Sequence, residues 1–401
     1  MKSTNSRHRY ESELEKIRQA SRWRFLRAWD GAGGVFTQGG TCYLNFSSND
    51  YLNLSGDPAL KAAVVDAVAE QGCGATASRL MSGNLTIHEA LERALADLTG
   101  QERALVFPSG YQANVGVLTS LAGPDDMIFS DALNHASIID GARLSKASIQ
   151  VYRHNDVAHL ESLLRSIGLR RAVAGVSPVH SSSPAQHRII VTDSVFSMDG
   201  DLAPLKELAA LAARYDAVLV VDEAHAIGIW GEGGGLCRHL GIRPDVTIGT
   251  LGKALGSGGG FAACDGPYRD LLINRARSFI YSTGVSPMNA AAALAAVEAI
   301  VSRKSLGPTL LRRARQFQSM LADHGIDVAP GETQIIPIAV GDDAQVMTLA
   351  KSLLEAGLIA TGIRPPTVPE GTARLRLSVT LAHDDTTLEK AAGILARVLV
   401  E

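Results

Sequence analysis

The segment Val218–Gly228, VLVVDEAHAIG, contains the residue types that most directly suggest chemistry. Four apolar residues run into Asp222, Glu223 comes next, and His225 follows three residues after Asp222. An acidic pair in this position can serve the magnesium of a bound nucleotide, as in ATPases that carry the letters DEAH. It can instead present one carboxylate at the end of a buried strand. The rest of the sequence distinguishes these two interpretations.

An ATPase would also need a phosphate-binding loop, and the only candidate in the sequence is TIGTLGKAL. A P-loop reads G-x-x-x-x-G-K-[ST], and its final hydroxyl reaches magnesium. Here Thr247 occupies the first glycine position, and Ala254 follows Lys253. The phosphate loop should also precede the acidic strand. Because both diagnostic letters are missing, a DEAH-type ATPase stays only a remote alternative.

Lys253 and Asp222 instead belong to a set of functional groups that follow short apolar runs. If these runs are parallel strands, the groups lie at one edge of a sheet, where α/β proteins bind ligands. Taken singly they have ordinary explanations: an aspartate can be an N-cap, a lysine among glycines a surface charge, and a lone histidine a structural residue. The groups at predicted strand ends or helix starts are Ser109-Gly110-Tyr111, His135, Asp193, Ser197, Asp222, His225, Thr250 and Lys253.

The combination is more informative than its members. A lysine can form a Schiff base, a carboxylate can face a pyridinium nitrogen, and a helix N-terminus can bind a phosphate group. These are the parts that pyridoxal 5'-phosphate requires. The sequence therefore predicts a pyridoxal-phosphate site and no metal site.

The elements that must position these groups follow an α/β rhythm up to about residue 286. Short β-rich runs alternate with helical stretches such as 111–120, 137–146, 157–167 and 204–215. Several runs are almost continuously apolar, as strands buried on both faces should be, so we expect a mostly parallel seven-stranded sheet sandwiched by helices. The strand candidates are RALVF, DMIFS, IQVYR, RIIVT, AVLVV, DVTIG and GFAAC.

The two ends of the chain have different patterns. Apolar positions at helical spacing between about residues 10 and 30 predict an N-terminal helix. After about residue 287, long helices and the strand candidates QIIPIAV and ARLRLSV predict a smaller α+β domain. We expect an N-terminal helix and extended arm over 1–45, a large cofactor-binding domain over 46–286 and a small C-terminal domain over 287–401.

Composition narrows the classes of partner. The 401 residues are 46% hydrophobic and 20% charged, with a net charge of −3, which is typical of a soluble globular protein without the basic excess of a nucleic-acid binder. The N-terminus has no apolar signal-peptide core, and no run is a membrane span. The four cysteines, at positions 42, 73, 237 and 264, form no metal or redox motif. We expect a cytoplasmic protein that binds neither nucleic acid nor membrane.

The motifs together resemble those of the α-oxoamine synthase family of fold-type-I pyridoxal-phosphate enzymes. The resemblance runs from about residue 14 to the end, and the order of the motifs is much more specific than any one of them. It implies the family's fold and cofactor, and a homodimer with active sites at the subunit interface. The matching segments are YLNFSSNDYL, FPSGYQAN, NHASIIDGARLS, HNDVAHLE, VTDSVFSMDGDLAPL, VVDEAHAIGIWGEGG, TLGKALGSGGG, IYST and IRPPTVPEGTARLRLSVT.

The resemblance implies a role for each matching residue around the cofactor. Lys253 would hold the cofactor covalently and later remove the Cα proton of the amino acid substrate. Asp222 would face the pyridine nitrogen, and His225 would bond the phenolic oxygen, near which Ser197 lies. His135 would stack on the ring and help to orient the acyl thioester. The phosphate would be bound by Gly110, Tyr111, Thr250 and, from the neighbouring subunit, Thr283.

The resemblance also implies substrate-binding residues. Arg376 would bind the carboxylate of L-alanine through its two-pronged guanidinium group. Alternate charges on a strand face would explain Arg374 and Arg376 equally well, and only the family match selects Arg376. The other substrate candidates are Arg27, with Arg24 as the alternative register, Thr367 and Asn49.

The segment IRPPTVPEGTARLRLSVT resembles family members that join L-alanine to a pimeloyl thioester. The implied reaction is a decarboxylative condensation in which carbon dioxide and the thiol carrier leave. A glycine C-acetyltransferase type of activity is the alternative within the family, and a non-catalytic scaffold is another outside it. The residues leave open whether the donor is pimeloyl-CoA or pimeloyl-acyl carrier protein, which acyl chains are selected, and what Glu223 does.

Overall fold

The structure is a computed structural model that describes residues 4–173 and 187–400. Their contacts define two compact units. The terminal unit comprises residues up to Tyr51, Met198–Gly200 and Leu310 onward, and the sheet unit comprises Leu52–Ser197 and Asp201–Thr309. The domain boundaries predicted from the sequence lie between residues 45 and 46 and between residues 286 and 287. They remain predictions, because the two units are defined by contacts alone.

The helices of the described residues are, in chain order, α1 Thr4–Gln19, α2 Pro58–Gln71, α3 Thr86–Thr99, α4 Gly110–Leu121, α5 Ala136–Ser145, α6 Val157–Val173, α7 Leu205–Arg214, α8 Leu236–His239, α9 Gly266–Arg275, α10 Arg277–Ile280, α11 Pro287–Ser302, α12 Leu306–Asp323, α13 Asp343–Glu355 and α14 Asp385–Leu399. Within these ranges, no helix is both long and apolar enough to cross a membrane.

The strands are, in the same order, β1 Asp30–Ala32, β2 Val35–Gln38, β3 Thr41–Asn45, β4 Arg103–Phe107, β5 Met127–Asp131, β6 Ser148–Tyr152, β7 Arg188–Asp193, β8 Ala217–Asp222, β9 Val246–Thr250, β10 Gly260–Cys264, β11 Ile335–Gly341, β12 Leu358–Ile359, β13 Thr361–Ile363 and β14 Ala373–Ser378.

The sheet unit contains the predicted seven-stranded sheet, and all seven strand candidates take part in it. The strand order is β4-β10-β9-β8-β7-β5-β6, and β10 alone runs antiparallel to its two neighbours. Central side chains such as Ile128, Val191, Val220 and Ile248 are fully buried, which explains the continuous apolar runs. The mostly parallel sheet predicted from the sequence is confirmed.

This topology brings the carboxyl ends of β5, β6, β7, β8 and β9 to one edge of the sheet. The residues that the sequence marked as functional lie at or just after the ends of β5, β7, β8 and β9. Helix α4 begins directly after β4, with Ser109 as its N-cap, and helix α5 begins after β5, with His135 as its N-cap. The fold therefore places predicted site residues at strand ends and helix starts of one unit.

The terminal unit contains two smaller sheets. One has the order β1-β2-β3-β12, and the other has the order β11-β14-β13 with antiparallel pairing throughout. The pairing of β11 with β14 confirms the two strand candidates of the C-terminal region. Arg374 and Arg376 alternate with buried Leu375 and Leu377 along β14, so both arginines extend from the same face of the strand.

The predicted N-terminal helix is wrong for its second half. Helix α1 ends at Gln19, and the residues from Arg22 to Trp29 are neither helix nor strand. Ser21 has a left-handed φ of 56°, and its N–H turns back to the carbonyl of Arg18. This conformation closes the last helical turn, so Arg24 and Arg27 lie on an irregular segment.

Candidate active site

Lys253 and His225 form the centre of the site in the sheet unit. Lys253 lies in the turn after β9, and His225 lies in the turn after β8. The Nζ atom of Lys253 is 2.7 Å from Nε2 of His225. His225 is buried, whereas Lys253 is partly exposed. A lysine amine that shares a proton with a neighbouring imidazole is suited to both nucleophilic attack and proton transfer.

Asp222 ends β8 with a buried carboxylate that is held on both oxygens. Oδ2 accepts a hydrogen bond of 2.6 Å from the side-chain amide of Asn114, and Oδ1 accepts one of 2.9 Å from the N–H of Ala224. Both donors are neutral, so they fix the carboxylate without cancelling its charge. A fixed buried carboxylate is the partner that a pyridinium nitrogen needs.

His135 is the N-cap of α5 and lies close enough to Asp222 and Lys253 for their charges to affect its pKa. Burial has the largest effect and lowers the pKa of the His135 imidazole; the Asp222 carboxylate opposes this, and the Lys253 charge adds to it. The His135 ring is therefore neutral at neutral pH. Its backbone N–H donates to Oδ2 of Asp193 at 2.8 Å, and its Nδ1 lies 2.7 Å from the hydroxyl oxygen of Ser137.

Asp193 ends β7, and Ser197 follows it after a short turn. Burial, and then the negative charge of Asp222, raise the pKa of the Asp193 carboxyl well above its usual value. Because its carboxylate accepts the N–H of His135, Asp193 connects the end of β7 to the start of α5. Ser197 lies in the segment whose backbone is paired by a bridge between Val195 and Leu202.

The first turn of α4 is a potential phosphate site. Its first N–H groups, at Gly110 and Tyr111, point out of the helix start and have no partner within the helix. A Cβ added to Gly260 would lie 2.4 Å from the N atom of Gly110, so only glycine allows β10 to approach this turn. Thr250 is also adjacent: a Cβ on Gly110 would lie 3.4 Å from the Cβ of Thr250.

These observations fit pyridoxal 5'-phosphate. The sheet unit contains the amine of Lys253 and the carboxylate of Asp222, which two neutral donors hold in place. It also contains the start of helix α4 at Gly110, against which Gly260 packs closely. The amine, the carboxylate and the helix N-terminus match the aldehyde, ring nitrogen and phosphate of the cofactor, respectively. The chemistry of this donor set therefore agrees with the cofactor predicted from the sequence.

Thr283 lies on an exposed segment of the same unit. Its backbone forms a bridge with Ser78, and the N–H of Gly284 donates to the carbonyl of Ala77 at 3.0 Å. The neighbouring loop is held by a buried ion pair of 2.8 Å between Arg79 and Glu92. Thr283 thus has a backbone held by its bridge to Ser78, and the residue is exposed.

Glu223, whose role the sequence left open, belongs to the internal structure of the sheet unit. Its side chain is fully buried. One carboxylate oxygen accepts from the hydroxyl of Ser194 at 2.8 Å and from the N–H of Leu236 at 2.9 Å, and the other accepts from the N–H of Cys237 at 2.6 Å. Glu223 therefore fixes the start of α8 rather than presenting a second acid to the site.

In the terminal unit, Arg376 and Asn49 come together as predicted substrate residues. The guanidinium of Arg376 donates to the hydroxyl of Ser378 at 2.8 Å and to Oδ1 of Asn49 and the hydroxyl of Tyr51, each at 3.3 Å. By contrast, Arg374 forms an ion pair with Asp199. This ion pair explains Arg374 as a structural charge and leaves Arg376 as the better candidate.

Arg27 and Thr367 line one cavity of the terminal unit, with a volume of about 840 Å³. Arg24, the alternative for Arg27, lines the same cavity, so the structure does not select one register. Apolar side chains make up much of the wall, including those of Trp23 and Leu354. The cavity combines an apolar wall with cationic groups, which suits an acyl chain with a negative end.

Sequence reasoning missed Asn114 as a site residue. It lies on α4, one turn after Gly110, and is buried beside Asp222. The signal was present in the motif FPSGYQAN, whose last letter is Asn114. Its partner lies 108 residues away in the chain, and only the packing of α4 against the sheet brings the two together.

Comparisons with known proteins agree with this site. The chain matches the family "Aminotransferase class I and II" over residues 41–395. It is 45% identical to the 8-amino-7-oxononanoate synthase of Geobacter sulfurreducens, with 96% of each chain covered. It is also 45% identical to that of Alkalilimnicola ehrlichii, with 94% of this chain and 93% of the relative covered.

Solved structures with the same fold include a serine palmitoyltransferase from S. paucimobilis with a bound pyridoxal phosphate–myriocin adduct. It has a TM-score of 0.88 at 27% identity and covers 99% of this chain and 98% of its own. An 8-amino-7-oxononanoate synthase from Francisella tularensis has a TM-score of 0.71 at 26% identity, with 88% and 97% covered.

The fold and the site thus define a fold-type-I pyridoxal-phosphate-dependent transferase of the class I and II aminotransferase family, with pyridoxal 5'-phosphate as its cofactor. Its relatives include acyltransferases of this type. Within that class, the chain belongs to the 8-amino-7-oxononanoate synthase family.

Proposed function

We propose that this chain condenses L-alanine with a pimeloyl thioester to give 8-amino-7-oxononanoate, carbon dioxide and the free thiol carrier, a step of biotin biosynthesis. The observation that carries the proposal is the arrangement of Lys253, His225 and Asp222 at one sheet edge, in a chain related to these synthases over almost its whole length. The proposed location is the cytoplasm, and the proposed assembly is a homodimer.

The cofactor would be held by residues of the sheet unit. Lys253 would hold it covalently, and Asp222 would keep its ring nitrogen protonated. His225 and Ser197 would contact its phenolic oxygen, His135 would cover its ring, and the phosphate would be bound by Gly110, Tyr111, Thr250 and a partner-subunit Thr283. When bound, pyridoxal phosphate supplies an electron sink for negative charge at the substrate Cα atom.

Lys253 would move the proton that the reaction requires. Its amine takes the proton from the alanine Cα atom, and the neighbouring His225 stabilises the resulting ammonium group. A Cα–C bond then forms to the thioester carbonyl carbon, while the C–S bond breaks, and the thiolate that leaves takes a proton from water. The Cα–carboxylate bond breaks to release carbon dioxide, and Lys253 returns a proton to the same carbon.

Substrate orientation would depend on residues of the terminal unit. Arg376 would bind the alanine carboxylate with two parallel hydrogen bonds, and Asn49 would fix the guanidinium. Arg27 and Thr367 would contact the acyl substrate or the product. Orientation of the carboxylate decides which Cα bond breaks first, so Arg376 would separate proton removal from premature decarboxylation.

A steady-state comparison tests the proposal. The holoenzyme is given L-alanine, glycine or L-serine, each with pimeloyl-CoA, pimeloyl-acyl carrier protein or acetyl-CoA, and thiol release and carbon dioxide release are both measured. We expect equal release of the two products with L-alanine and a pimeloyl donor, and none in Lys253→Ala.

The other combinations test the alternatives. Faster turnover of glycine with acetyl-CoA would replace the proposal by a glycine C-acetyltransferase type of activity. A protein that binds the cofactor but releases no thiol with any pair would be the non-catalytic scaffold. The same comparison shows whether the carrier is coenzyme A or acyl carrier protein.

A further inference from the structure

His154 follows β6 at the edge of the sheet where the predicted cofactor residues lie, but the proposed reaction gives it no part. It opens the segment HNDVAHLE, two residues after β6 ends. Its side chain is 26% exposed, so most of the imidazole is removed from water. Its contacts differ from those of an ordinary structural histidine.

Both ring nitrogens of His154 face a carboxylate. Nδ1 lies 2.9 Å from Oδ1 of Asp131, and Nε2 lies 2.7 Å from Oδ2 of Asp201. A neutral imidazole carries one N–H and can donate to one acid, whereas an imidazolium donates to both. Two facing carboxylates therefore favour the charged form. The ring of Phe196 stands edge-on to the imidazole, with centroids 4.4 Å apart, and shields it on one side.

The first of these carboxylates shapes the turn that leads to His135. Asp131 ends β5 and is buried. Its oxygens also accept the N–H of Leu133 at 2.8 Å and the N–H of Asn155 at 2.9 Å. These bonds fix residues 131–135, and His135 begins α5 at the end of that turn.

The second carboxylate fixes the segment that carries Ser197. The carbonyl of Asp201 accepts the N–H of Phe196 at 3.0 Å, and Ser197 is the next residue. The side-chain amide of Asn155 donates to Oδ2 of Asp201 at 2.8 Å and reinforces the contact made by His154. The position of Asp201 thus determines the backbone on which Ser197 stands.

We propose that His154 is a positioning residue of the cofactor site, whose imidazolium joins Asp131 to Asp201 and thereby holds His135 and Ser197 in place. The inference rests on the proposed function only in so far as His135 and Ser197 contact the cofactor. His154 acts through the two carboxylates.

The charged surroundings of His154 predict how this contact depends on pH. Burial opposes the charge, but the hydrogen bonds and negative charges of Asp131 and Asp201 raise the pKa of His154 to about 10. On its own segment, Arg153 pairs with Asp156 at 2.7 Å, and from β7 Asp193 accepts the His135 N–H. The bridge is therefore complete at neutral pH and is lost as pH rises through about 10.

The first variant is His154→Gln in the full-length holoenzyme. Glutamine is neutral and carries both of its N–H groups on one nitrogen, so it cannot span the two carboxylates that face opposite ring nitrogens, and one acid loses its partner. We expect the dissociation constant for pyridoxal phosphate, titrated by its visible absorbance, to rise on the order of tenfold to a hundredfold. The matched control is His187→Gln, an exposed histidine of the same unit, which should change the constant by less than about twofold.

The second variant is Asp201→Asn, which keeps an oxygen acceptor for His154 but removes one negative charge. The alkaline loss of cofactor affinity should then begin on the order of one pH unit or more lower, and His154→Gln should lack that part of the pH dependence. A merely structural histidine would give no such shift. If His154→Gln does not fold, Asp201→Asn decides the question alone.

An affinity and pH profile like those of the wild type in His154→Gln, or an unmoved alkaline limb in Asp201→Asn, would overturn the proposal. Cofactor binding is measured without substrate, so it is separate from the proposed reaction. A wild type that binds pyridoxal phosphate but forms no product from L-alanine would contradict the proposed function and leave the result on His154 intact.

Discussion

Asp222 and Glu223 are neighbours in the chain with separate surroundings. Asp222 contacts Asn114 from α4, whereas Glu223 contacts Ser194 and the start of α8. Successive residues at a strand end point to opposite faces, which separates the two carboxylates. The letters DEAH therefore describe one carboxylate proposed to bind the cofactor, one structural carboxylate and one histidine beside the lysine.

We expect Asp222→Asn to lower turnover on the order of a hundredfold or more, because a neutral amide cannot keep the cofactor's ring nitrogen protonated. Glu223→Gln should instead lower the free energy of unfolding by about 1–3 kcal/mol, through its weakened bonds to Leu236 and Cys237, and should leave most of the turnover. Steady-state assays and urea unfolding of both variants separate these effects. Added magnesium should change neither. Equal losses of turnover in the two variants would contradict the division of roles.

At the scale of elements, the sequence was most informative where strands are buried on both faces. Runs such as RIIVT and AVLVV, bounded by polar residues and alternating with helical stretches, are typical of strands in the middle of a parallel sheet, so the sheet and the residues at its edge were predictable. The end of α1 was not, because the positive φ of Ser21 leaves no pattern in the apolar spacing. Asn114 was missed because its contact with Asp222 depends on how α4 packs on the sheet.

The contact between β10 and the start of α4 gives a prediction at this scale. Gly260→Ala would place a methyl group within 2.4–2.5 Å of backbone atoms of Ser109 and Gly110, so one element must move. We expect the dissociation constant for pyridoxal phosphate to rise by about tenfold or more, because the N–H groups proposed to bind the phosphate shift with the helix. Gly123→Ala is the control, since its methyl group would meet nothing closer than 3.8 Å. Equal affinities of the two variants would contradict this account.

At the scale of the whole molecule, buried histidines make stability depend on pH. His383 is fully buried in the terminal unit, where its ring stacks on Phe46 with centroids 4.1 Å apart. Its Nδ1 accepts the N–H of Thr380 at 3.1 Å, and its other nitrogen, Nε2, lies 3.0 Å from the carbonyl of Asn45. Burial, the largest effect, lowers the pKa of His383 to about 4. The folded ring is therefore neutral where an unfolded histidine would bind a proton.

This depressed pKa makes acid destabilising. The stability is present above about pH 6.5 and is lost as pH falls toward about 4, by roughly 3 kcal/mol for this one group. His383→Gln should unfold more easily at neutral pH and lose less stability between pH 7 and 4 than the wild type does. Denaturant midpoints measured across this range test the difference, with the exposed His324→Gln as the control. Parallel curves for wild type and His383→Gln would exclude the effect.

The proposed dimer gives the last prediction, because Thr283 would serve the phosphate of the partner's site. In the single chain, Thr283 is exposed, and Tyr281, two residues earlier, is 70% exposed. In Thr283→Asp, the negative carboxylate would repel the phosphate of the cofactor. In Thr283→Asn, the new side chain has nearly the same shape as aspartate but no charge. We expect the Asp variant to lose cofactor affinity and activity, and the Asn variant to keep most of both.

Subunit exchange then decides whether Thr283 acts across the interface. If it does, a mixed dimer of Lys253→Ala and Thr283→Asp subunits contains one site with both changes and one intact site. Statistical exchange should restore about a quarter of the wild-type activity, since half of the dimers are mixed and each has one working site. If Thr283 acts within its own chain, both sites of the mixed dimer are damaged and exchange restores nothing. The mixed dimers can be isolated with two different affinity tags, so their activity reports directly on which subunit supplies the threonine.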